Sequence, residues 1–318
     1  MPLRLKSLMS RWIICLAAVP ALVSIGTADP RPNVVLILAD DIGANELSVY
    51  GHPSHHTPQL DQLAKQGVHF ATAYATPVCH PSRFMLLTGQ YPHHSGVFHF
   101  SGRAGGPPVE DHGADDVSNH VTLGHLFQSA GYATALAGKW QMSGEVPTLI
   151  HEAGFESYRI WAYDENLPPG VVHTGGREPT AIARTSRYWH PSILENGAYV
   201  PTGPDDYGPD LFTDFLIDFM RETHEQAGEK RPFFLYYPMA LTHEPYYPTP
   251  DSIKPGDDKF AHDPANWSAN VAYTDHLVGR LLQTLDDLKI RENTIVIFLG
   301  DNGTGLAGKG HTTEEGVR

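Results

Sequence analysis

Four stretches of the chain are apolar at almost every position and lead into polar or charged residues. They cover residues 33–39, 132–137, 233–237 and 294–299. Because apolar and polar residues do not alternate along them, we predict strands that are buried on both faces, as in a parallel sheet covered by helices. The polar residues just beyond them include Asp40, Lys139, His243 and Asp301.

Segments with apolar residues at helical spacing lie between these strands. They cover residues 59–66, 121–129, 210–225 and 267–288. The alternation of strand and helix predicts an α/β fold with a doubly wound, mostly parallel sheet flanked by helices. Ligands bind at the carboxyl ends of strands in such sheets, so we expect the site there. Residues 141–209 are rich in Gly, Pro, Tyr and Trp without clear periodicity, and we predict long loops and short turns that cover the site.

The first 28 residues have the pattern of a signal peptide. Arg4, Lys6 and Arg11 precede an apolar stretch over residues 12–25, and Gly-Thr-Ala follows at the expected cleavage site. The stretch is short for a bilayer span, so we expect no stable membrane anchor. The chain is predicted to be exported to the periplasm or the extracellular space, with one α/β domain over residues 29–318.

Charge and cysteine content narrow the possible functions. The formal net charge is −14 at pH 7, and removing a leader that holds only basic charges makes it more negative. Such a surface repels nucleic acid, so we expect no nucleic-acid partner. Cys79 is the only cysteine outside the leader, which excludes an internal disulfide. A lone cysteine is either a small buried apolar residue or a functional thiol.

Carboxylates at neighbouring strand ends indicate a metal site. Asp40, Asp41 and Asp301 would repel one another in a cleft, and a bound cation would remove that repulsion. Oxygen ligands favour Ca²⁺ or Mg²⁺. The alternative is that these residues, with Asn302, only form turns, as Asp and Asn often do at strand ends.

The residues around Cys79 resemble the signature of the sulfatase family. The signature is Cys79-x-Pro81-Ser82-Arg83, followed by Leu87-Thr88-Gly89. Further segments match in the family's order, and the similarity extends from about residue 31 to the last residue. These segments are Arg31-Pro32-Asn33, Asp40-Asp41-x-Gly43, Thr57-Pro58-x-Leu60-Asp61-x-Leu63-Ala64, Gly138-Lys139-Trp140, Gly300-Asp301-Asn302-Gly303 and Lys309-Gly310.

The resemblance implies an alkaline-phosphatase-like fold and a catalytic centre. A formylglycine-generating enzyme would oxidise Cys79 to formylglycine, a partner needed only during maturation. The metal ligands would be residue 79 with Asp40, Asp41, Asp301 and Asn302, around Ca²⁺ or possibly Mg²⁺. One hydroxyl of the hydrated aldehyde would attack sulfur, and the other would release sulfate by collapsing to the carbonyl.

The resemblance also implies roles for four basic residues. Arg83 would stabilise the aldehyde hydrate. Lys139 and Lys309 would contact the transferring sulfate and its bridging oxygen. His243 would bind sulfate or protonate the departing alcohol. The implied activity is hydrolysis of a sulfate ester, in a sulfated small molecule or polysaccharide.

Two departures from the family leave alternatives open. Gln141 occupies the position where the family usually has a His, and a Gln cannot take up a proton at neutral pH. The chain also stops where family members continue into a smaller C-terminal subdomain, so we expect a truncated catalytic domain. The alternatives are a phosphoester or phosphonate hydrolase of the same superfamily, or an inactive truncated homologue.

Overall fold

In the described part of the chain, the four predicted apolar strands pair side by side within one sheet of seven strands. The computed structural model describes residues 31–97, 117–142, 148–163, 167–176, 185–225 and 231–304. The strands are β1 (Asn33–Ala39), β2 (Ala133–Gly138), β3 (Ser157–Trp161), β4 (Ile193–Glu195), β5 (Ala198–Val200), β6 (Phe233–Pro238) and β7 (Thr294–Gly300). Their order across the sheet is β5-β4-β3-β2-β6-β1-β7. The pairs among β3, β2, β6, β1 and β7 are parallel, and those that attach β4 and β5 are antiparallel.

Helices cover both faces of the sheet. They are α1 (Pro58–Gln66), α2 (Cys79–Thr88), α3 (Pro92–Ser95), α4 (Leu123–Ser129), α5 (Thr148–Glu152), α6 (Gly208–Glu225) and α7 (Trp267–Asp287). Successive residues of β1 point to opposite faces. Val35 therefore belongs to the same buried cluster as Leu216 of α6 and Leu281 of α7, whereas Leu36 belongs to a second cluster with Phe84 of α2. The predicted doubly wound α/β fold is confirmed.

Residues 141–209 contain more regular structure than their composition predicted. Helix α5 and strands β3, β4 and β5 lie in this region, so the prediction of only loops and short turns is wrong here. The strands are three to five residues long, too short to show a reliable period. Asn196 and Gly197 both have positive φ, 45° and 84°, and form the tight turn that joins β4 to β5.

Strand β7 is less buried than its apolar sequence predicted. Every residue of β1 and β6 is buried, but among the described strands β7 lies at the edge of the sheet and pairs with β1. Ile295 and Ile297 are 48% and 42% exposed. The prediction of burial on both faces is therefore wrong for β7, because composition does not reveal which strand ends the sheet.

The described residues test the membrane prediction only in part and do not include the proposed signal peptide. Among the helices of the described ranges, none combines the length and the hydropathy needed to cross a bilayer. The proposed signal peptide, residues 1–28, lies outside the described residues, as do Lys309 and the rest of segment 305–318.

Candidate active site

The carboxyl ends of β1 and β7 bring two distant carboxylates together. Ala39 is paired with Gly300, and the Asp301 amide donates to the Ala39 carbonyl at 3.0 Å. Asp40 and Asp301 follow these paired residues directly. Each of them has a ligand atom within 4.8 Å of the other's and of the Cys79 Sγ. The convergence predicted from the strand ends is present, and these three residues form a buried candidate metal site.

Asp41 and Asn302 lie beside this trio and are linked to each other. Asp41 has a positive φ of 58°, and its amide donates to Asp301 Oδ1 at 3.1 Å. Asn302 Nδ2 donates to Asp41 Oδ1 at 2.7 Å. Asn302 Oδ1 is buried and accepts no hydrogen bond from the described residues. Its free lone pairs make that oxygen suitable as a metal ligand.

Cys79 is the first residue of α2 and is buried. Its Sγ lies 3.9 Å from Lys139 Nζ. Burial raises the pKa of the Cys79 thiol, an effect that the positive charge of Lys139 only partly offsets. An unmodified thiol here is therefore mostly protonated at neutral pH and is a poor nucleophile.

Arg83 and Lys139 place two buried positive charges against the carboxylates. The Arg83 guanidinium donates to Asp301 Oδ2 and, through Nη1, to the Lys139 carbonyl at 3.0 Å. Lys139 Nζ lies 2.5 Å from Asp40 Oδ2. Gly138 lets the end of β2 lie close against β6: its φ is +128°, an added Cβ would lie 2.0 Å from the Pro238 carbonyl oxygen, and the next amide, that of Lys139, donates to this oxygen at 2.7 Å.

The two central carboxylates differ in their ionisation. Burial opposes ionisation of Asp40, but the charges of Lys139 and Arg83 outweigh it and lower the pKa of Asp40 below its ordinary value. Burial and the neighbouring Asp40 charge raise the pKa of Asp301 above its ordinary value. The positive charges of Arg83 and Lys139 therefore do not fully neutralise the negative charge of these carboxylates. An added cation would favour ionisation of them all.

His243 faces the same site from the loop after β6. The Asp40 amide donates to the Leu241 carbonyl at 2.8 Å, and the Thr242 amide donates to the Asp40 carbonyl at 2.7 Å. His243 Nε2 consequently lies 3.7 Å from Asp41 Oδ2. Burial, followed by the positive charge of Lys139, lowers the pKa of His243 to about 4, so the imidazole is neutral at pH 7.

Of the two remaining positions singled out in the sequence, the structure describes Gln141 but not Lys309. Gln141 has a φ of 53° and is buried, and its Oε1 accepts no hydrogen bond from the residues with described positions. It follows Lys139 by two residues, where the family usually has a His. Lys309 is outside the described residues, so its predicted contact with sulfate stays a prediction.

Sequence reasoning missed Arg187, which lies next to His243. Its Nη1 is 3.2 Å from His243 Nδ1, and the side chain is buried. Arg187 occurs in the region that showed no periodicity, carries no motif and is one of several arginines there, so no sequence signal singles it out.

Sequence reasoning also missed Glu46. Its hydrogen bonds connect the loop after β1, which carries Asp40 and Asp41, to the loop after β7, which carries Asp301 and Asn302. Its carboxylate accepts from Trp267 Nε1 at 2.9 Å and from Thr304 Oγ1 at 3.1 Å. Thr304 Oγ1 in turn accepts from the Gly43 amide at 3.1 Å. His52 and His55 lie close enough to Glu46 to form a second candidate metal cluster. However, His55 Nδ1 and Nε2 contact the Glu46 carbonyl and Ser268 Oγ, which indicates a structural network.

Comparisons with known proteins find relatives that match most of this chain. The family model described as Sulfatase matches residues 32–318. The chain is 31% identical over 304 residues to N-acetylgalactosamine-6-sulfatase of Canis lupus familiaris, a match that covers 93% of this chain and 54% of the dog protein. It is 33% identical over 318 residues to arylsulfatase A of Homo sapiens, covering 90% of this chain and 57% of the human protein. The chain thus spans a little over half the length of these relatives.

A solved structure is also similar to most of this chain. The crystal structure of Ps i-CgsB in complex with k-i-k-neocarrahexaose is 26% identical, with a TM-score of 0.65, and the match covers 89% of this chain and 61% of that one. The fold is therefore alkaline-phosphatase-like, as the resemblance implied. The family match over most of the chain establishes that this protein belongs to the sulfatase family.

Proposed function

We propose that this chain carries the catalytic centre of a sulfuric ester hydrolase. Residues 29–318 would form the catalytic domain, and residues 1–28 would direct export to the periplasm or the extracellular space. One observation carries the proposal: the Sγ of Cys79, at the position of the family's modified cysteine, lies within 4.8 Å of carboxylate oxygens of Asp40 and Asp301 and 3.9 Å from Lys139 Nζ.

The donor set supports a hard divalent cation. Asp40 Oδ1 and Asn302 Oδ1 are buried oxygens that accept no hydrogen bond from the described residues, although Arg83 Nη2 lies 3.4 Å from Asp40 Oδ1. Asp40, Asp41, Asp301, Asn302 and residue 79 would hold Ca²⁺, with Mg²⁺ as the alternative. When bound, the ion would polarise the sulfate oxygens and the attacking oxygen.

Oxidation of Cys79 to formylglycine would supply the nucleophile that the thiol lacks. Its hydrate would provide both the attacking hydroxyl and the group that releases sulfate. Arg83, one turn further along α2, would favour the ionised form of Asp301 through its hydrogen bonds to Oδ2. Its predicted stabilisation of the aldehyde hydrate stays a prediction. Formylglycine formation would require a separate formylglycine-generating enzyme.

Lys139 and His243 would bind the substrate's sulfate. Lys139 Nζ lies between Asp40 Oδ2 and Cys79 Sγ, so a sulfate at residue 79 would meet a positive charge at the reacting centre. His243 would bind sulfate or serve the departing oxygen, and Lys309 would make a further contact. An overall acidic chain needs such a locally positive pocket to bind an anionic substrate.

The substrate class is proposed from the relatives. One matched protein is named for N-acetylgalactosamine-6-sulfate and another for aryl sulfates, and a matched structure holds k-i-k-neocarrahexaose. A sulfated carbohydrate is therefore proposed as the physiological substrate, and an aryl sulfate as a convenient assay substrate.

The test is to express the chain with a formylglycine-generating enzyme and measure hydrolysis of 4-nitrophenyl sulfate in Ca²⁺. Mass spectrometry of the peptide that contains residue 79 would quantify its conversion. We expect turnover that depends on conversion and is abolished in Cys79→Ala. Faster hydrolysis of 4-nitrophenyl phosphate would favour a phosphoester hydrolase, and complete conversion without turnover of either ester would favour an inactive homologue.

A further inference from the structure

Glu46 is a fully buried acid that is not itself a proposed metal ligand. Its Oε1 accepts from Thr304 Oγ1 at 3.1 Å, and its Oε2 accepts from Trp267 Nε1 at 2.9 Å. A carboxylate removed from water is costly unless hydrogen bonds compensate it. These donors therefore hold the carboxylate in one position, at the point where the loop after β1, the loop after β7 and the start of α7 meet.

Thr304 connects Glu46 to both loops that carry proposed ligands. It lies two residues after Asn302, in the loop after β7. Its Oγ1 also accepts from the Gly43 amide at 3.1 Å, and Gly43 lies two residues after Asp41 in the loop after β1. A Cβ added to Gly43 would lie 3.3 Å from both the amide nitrogen and the Oγ1 of Thr304. The two loops are therefore in close contact at this point.

The same two loops are joined a second time at the proposed ligands. Asn302 Nδ2 donates to Asp41 Oδ1 at 2.7 Å, and the Asp41 amide donates to Asp301 Oδ1 at 3.1 Å. This contact turns the other end of the Asn302 amide away from Asp41. Its Oδ1 is buried and accepts no hydrogen bond from the described residues. The direction of this oxygen therefore depends on the spacing of the two loops.

Helix α7 anchors Glu46 to the core. Trp267, which donates to its carboxylate, is the first residue of this helix. Ser268 Oγ lies 3.0 Å from His55 Nε2, and His55 Nδ1 lies 2.9 Å from the Glu46 carbonyl oxygen. The helix is 21 residues long and packs into the core through buried residues such as Leu281. Glu46 is thus fixed to a long packed helix and not only to other loop residues.

We propose that Glu46 is a positioning residue of the metal site, which holds the loop after β1 against the loop after β7 so that Asp41 and Asn302 contact the cation together. This inference rests on the metal site of the proposed function. Residues behind metal ligands orient them, and their loss typically lowers metal affinity about 10- to 100-fold. Glu46 acts at one remove, through Thr304 and the backbone of both loops, so an effect of about tenfold is expected.

The Ca²⁺ affinity of the folded chain tests this role. We would titrate Ca²⁺ calorimetrically into the full chain with residue 79 converted to formylglycine, and into Glu46→Gln, which keeps the length of the side chain but replaces one acceptor oxygen by a donor. We expect Kd to rise about tenfold. Thr213→Val is the matched control, because its buried hydroxyl on α6 contacts the Tyr237 hydroxyl and the Pro209 carbonyl. It should leave Kd unchanged, and an equally unchanged Kd in Glu46→Gln would overturn the inference.

Terbium luminescence gives a readout that lost stability alone would not change. Tb³⁺ is a hard cation that takes oxygen ligands as Ca²⁺ does, and its decay rates in H₂O and D₂O report the number of coordinated waters. If Asn302 no longer contacts the ion, water should replace it, so we expect an additional coordinated water in Glu46→Gln. Thermal denaturation would establish that the variant is folded during the measurement. The same number of waters in the parent and in Glu46→Gln would contradict the positioning role.

A second variant tests the connection through Thr304. Thr304→Val should also raise the Ca²⁺ Kd, and adding Glu46→Gln to it should raise Kd little further, because both substitutions break the same connection. Effects that multiply independently would show that Glu46 does not act through Thr304 and would overturn the proposal. An unchanged Kd in Thr304→Val would overturn it as well, even if Glu46→Gln does not fold.

Binding and turnover separate this inference from the proposed function. A fully converted parent chain that binds Ca²⁺ but hydrolyses no sulfate ester would contradict the proposed activity, and the Kd values would still decide the role of Glu46. A parent chain that binds neither Ca²⁺ nor Tb³⁺ would overturn the metal site and the role of Glu46 with it.

Discussion

Asp301 Oδ2 accepts two hydrogen bonds from the Arg83 guanidinium, at 3.2 Å from Nε and 2.8 Å from Nη2. Both side chains are fully buried. The pair joins the start of α2, where Cys79 lies, to the end of β7. The candidate nucleophile and a proposed metal ligand are therefore held together by one ionic contact.

Removing Arg83 should be strongly destabilising. Arg83→Met would leave Asp301 buried beside Asp40 without its partner, and we expect a loss of about 3–5 kcal/mol in the free energy of unfolding. Urea denaturation would measure it. Arg231→Met is a matched control, since Arg231 pairs with Glu156 at 2.6 Å but is 42% exposed. There we expect a change of at most about 1 kcal/mol. Equal effects would contradict the importance of the buried pair.

Calcium should stabilise the folded chain because it would neutralise the clustered carboxylates. At a free concentration one hundred times Kd, we expect about 2.7 kcal/mol of added stability, reversed by a chelator. Thermal denaturation with and without Ca²⁺ would show the shift. Asp41→Asn should reduce it, whereas Asp205→Asn should not, because Asp205 is an exposed residue paired with Lys259. An identical melting temperature in EDTA and in Ca²⁺ would argue against the site.

Lys139→Met should impair both turnover and folding, because it also removes a buried ion-pair partner of Asp40. Its Nζ is the positive charge near residue 79, and loss of one charge-stabilising group of this kind costs about 10²–10³ in kcat. The measurement is kcat for 4-nitrophenyl sulfate in protein with equal conversion of residue 79. Lys65→Met is the control because Lys65 is exposed on α1. A kcat for Lys139→Met within twofold of the parent would exclude the proposed role.

Thr304→Val should weaken the hydrogen-bonded connection between the loop after β1 and the loop after β7. The substitution removes the hydroxyl that donates to Glu46 and accepts from the Gly43 amide. Leaving these buried groups unpaired should cost about 1–3 kcal/mol of stability and weaken Ca²⁺ binding. Calorimetric titration would measure the affinity. The exposed Ser129 hydroxyl bonds one backbone carbonyl, so Ser129→Ala should leave Ca²⁺ affinity unchanged.

The sequence predicted the parts of the site that follow long apolar strands. Asp40, Lys139 and Asp301 could be placed because parallel strands end at the same edge of a sheet. Strands β3, β4 and β5 could not be identified because three to five residues are too few to establish a period. The Asn196-Gly197 turn was the signal available for that hairpin.

Arg187 illustrates a different limit. Its significance depends on its distance to His243, 56 residues away in the chain, and on the ring of Trp161 beneath it. No local pattern encodes either contact. Such residues become apparent only when the loops that carry them are packed together.

Because two proposed metal ligands follow β7 directly, local opening of this edge strand should affect cation binding. In the described part of the chain its hydrogen-bonded neighbour is β1, and two of its isoleucines face solvent. Its amides should exchange with deuterium sooner than those of β6, because an edge strand opens at lower energy than a central one. Since Asp301 and Asn302 follow this strand directly, each opening would detach two ligands at once, and bound Ca²⁺ should slow deuterium uptake along β7.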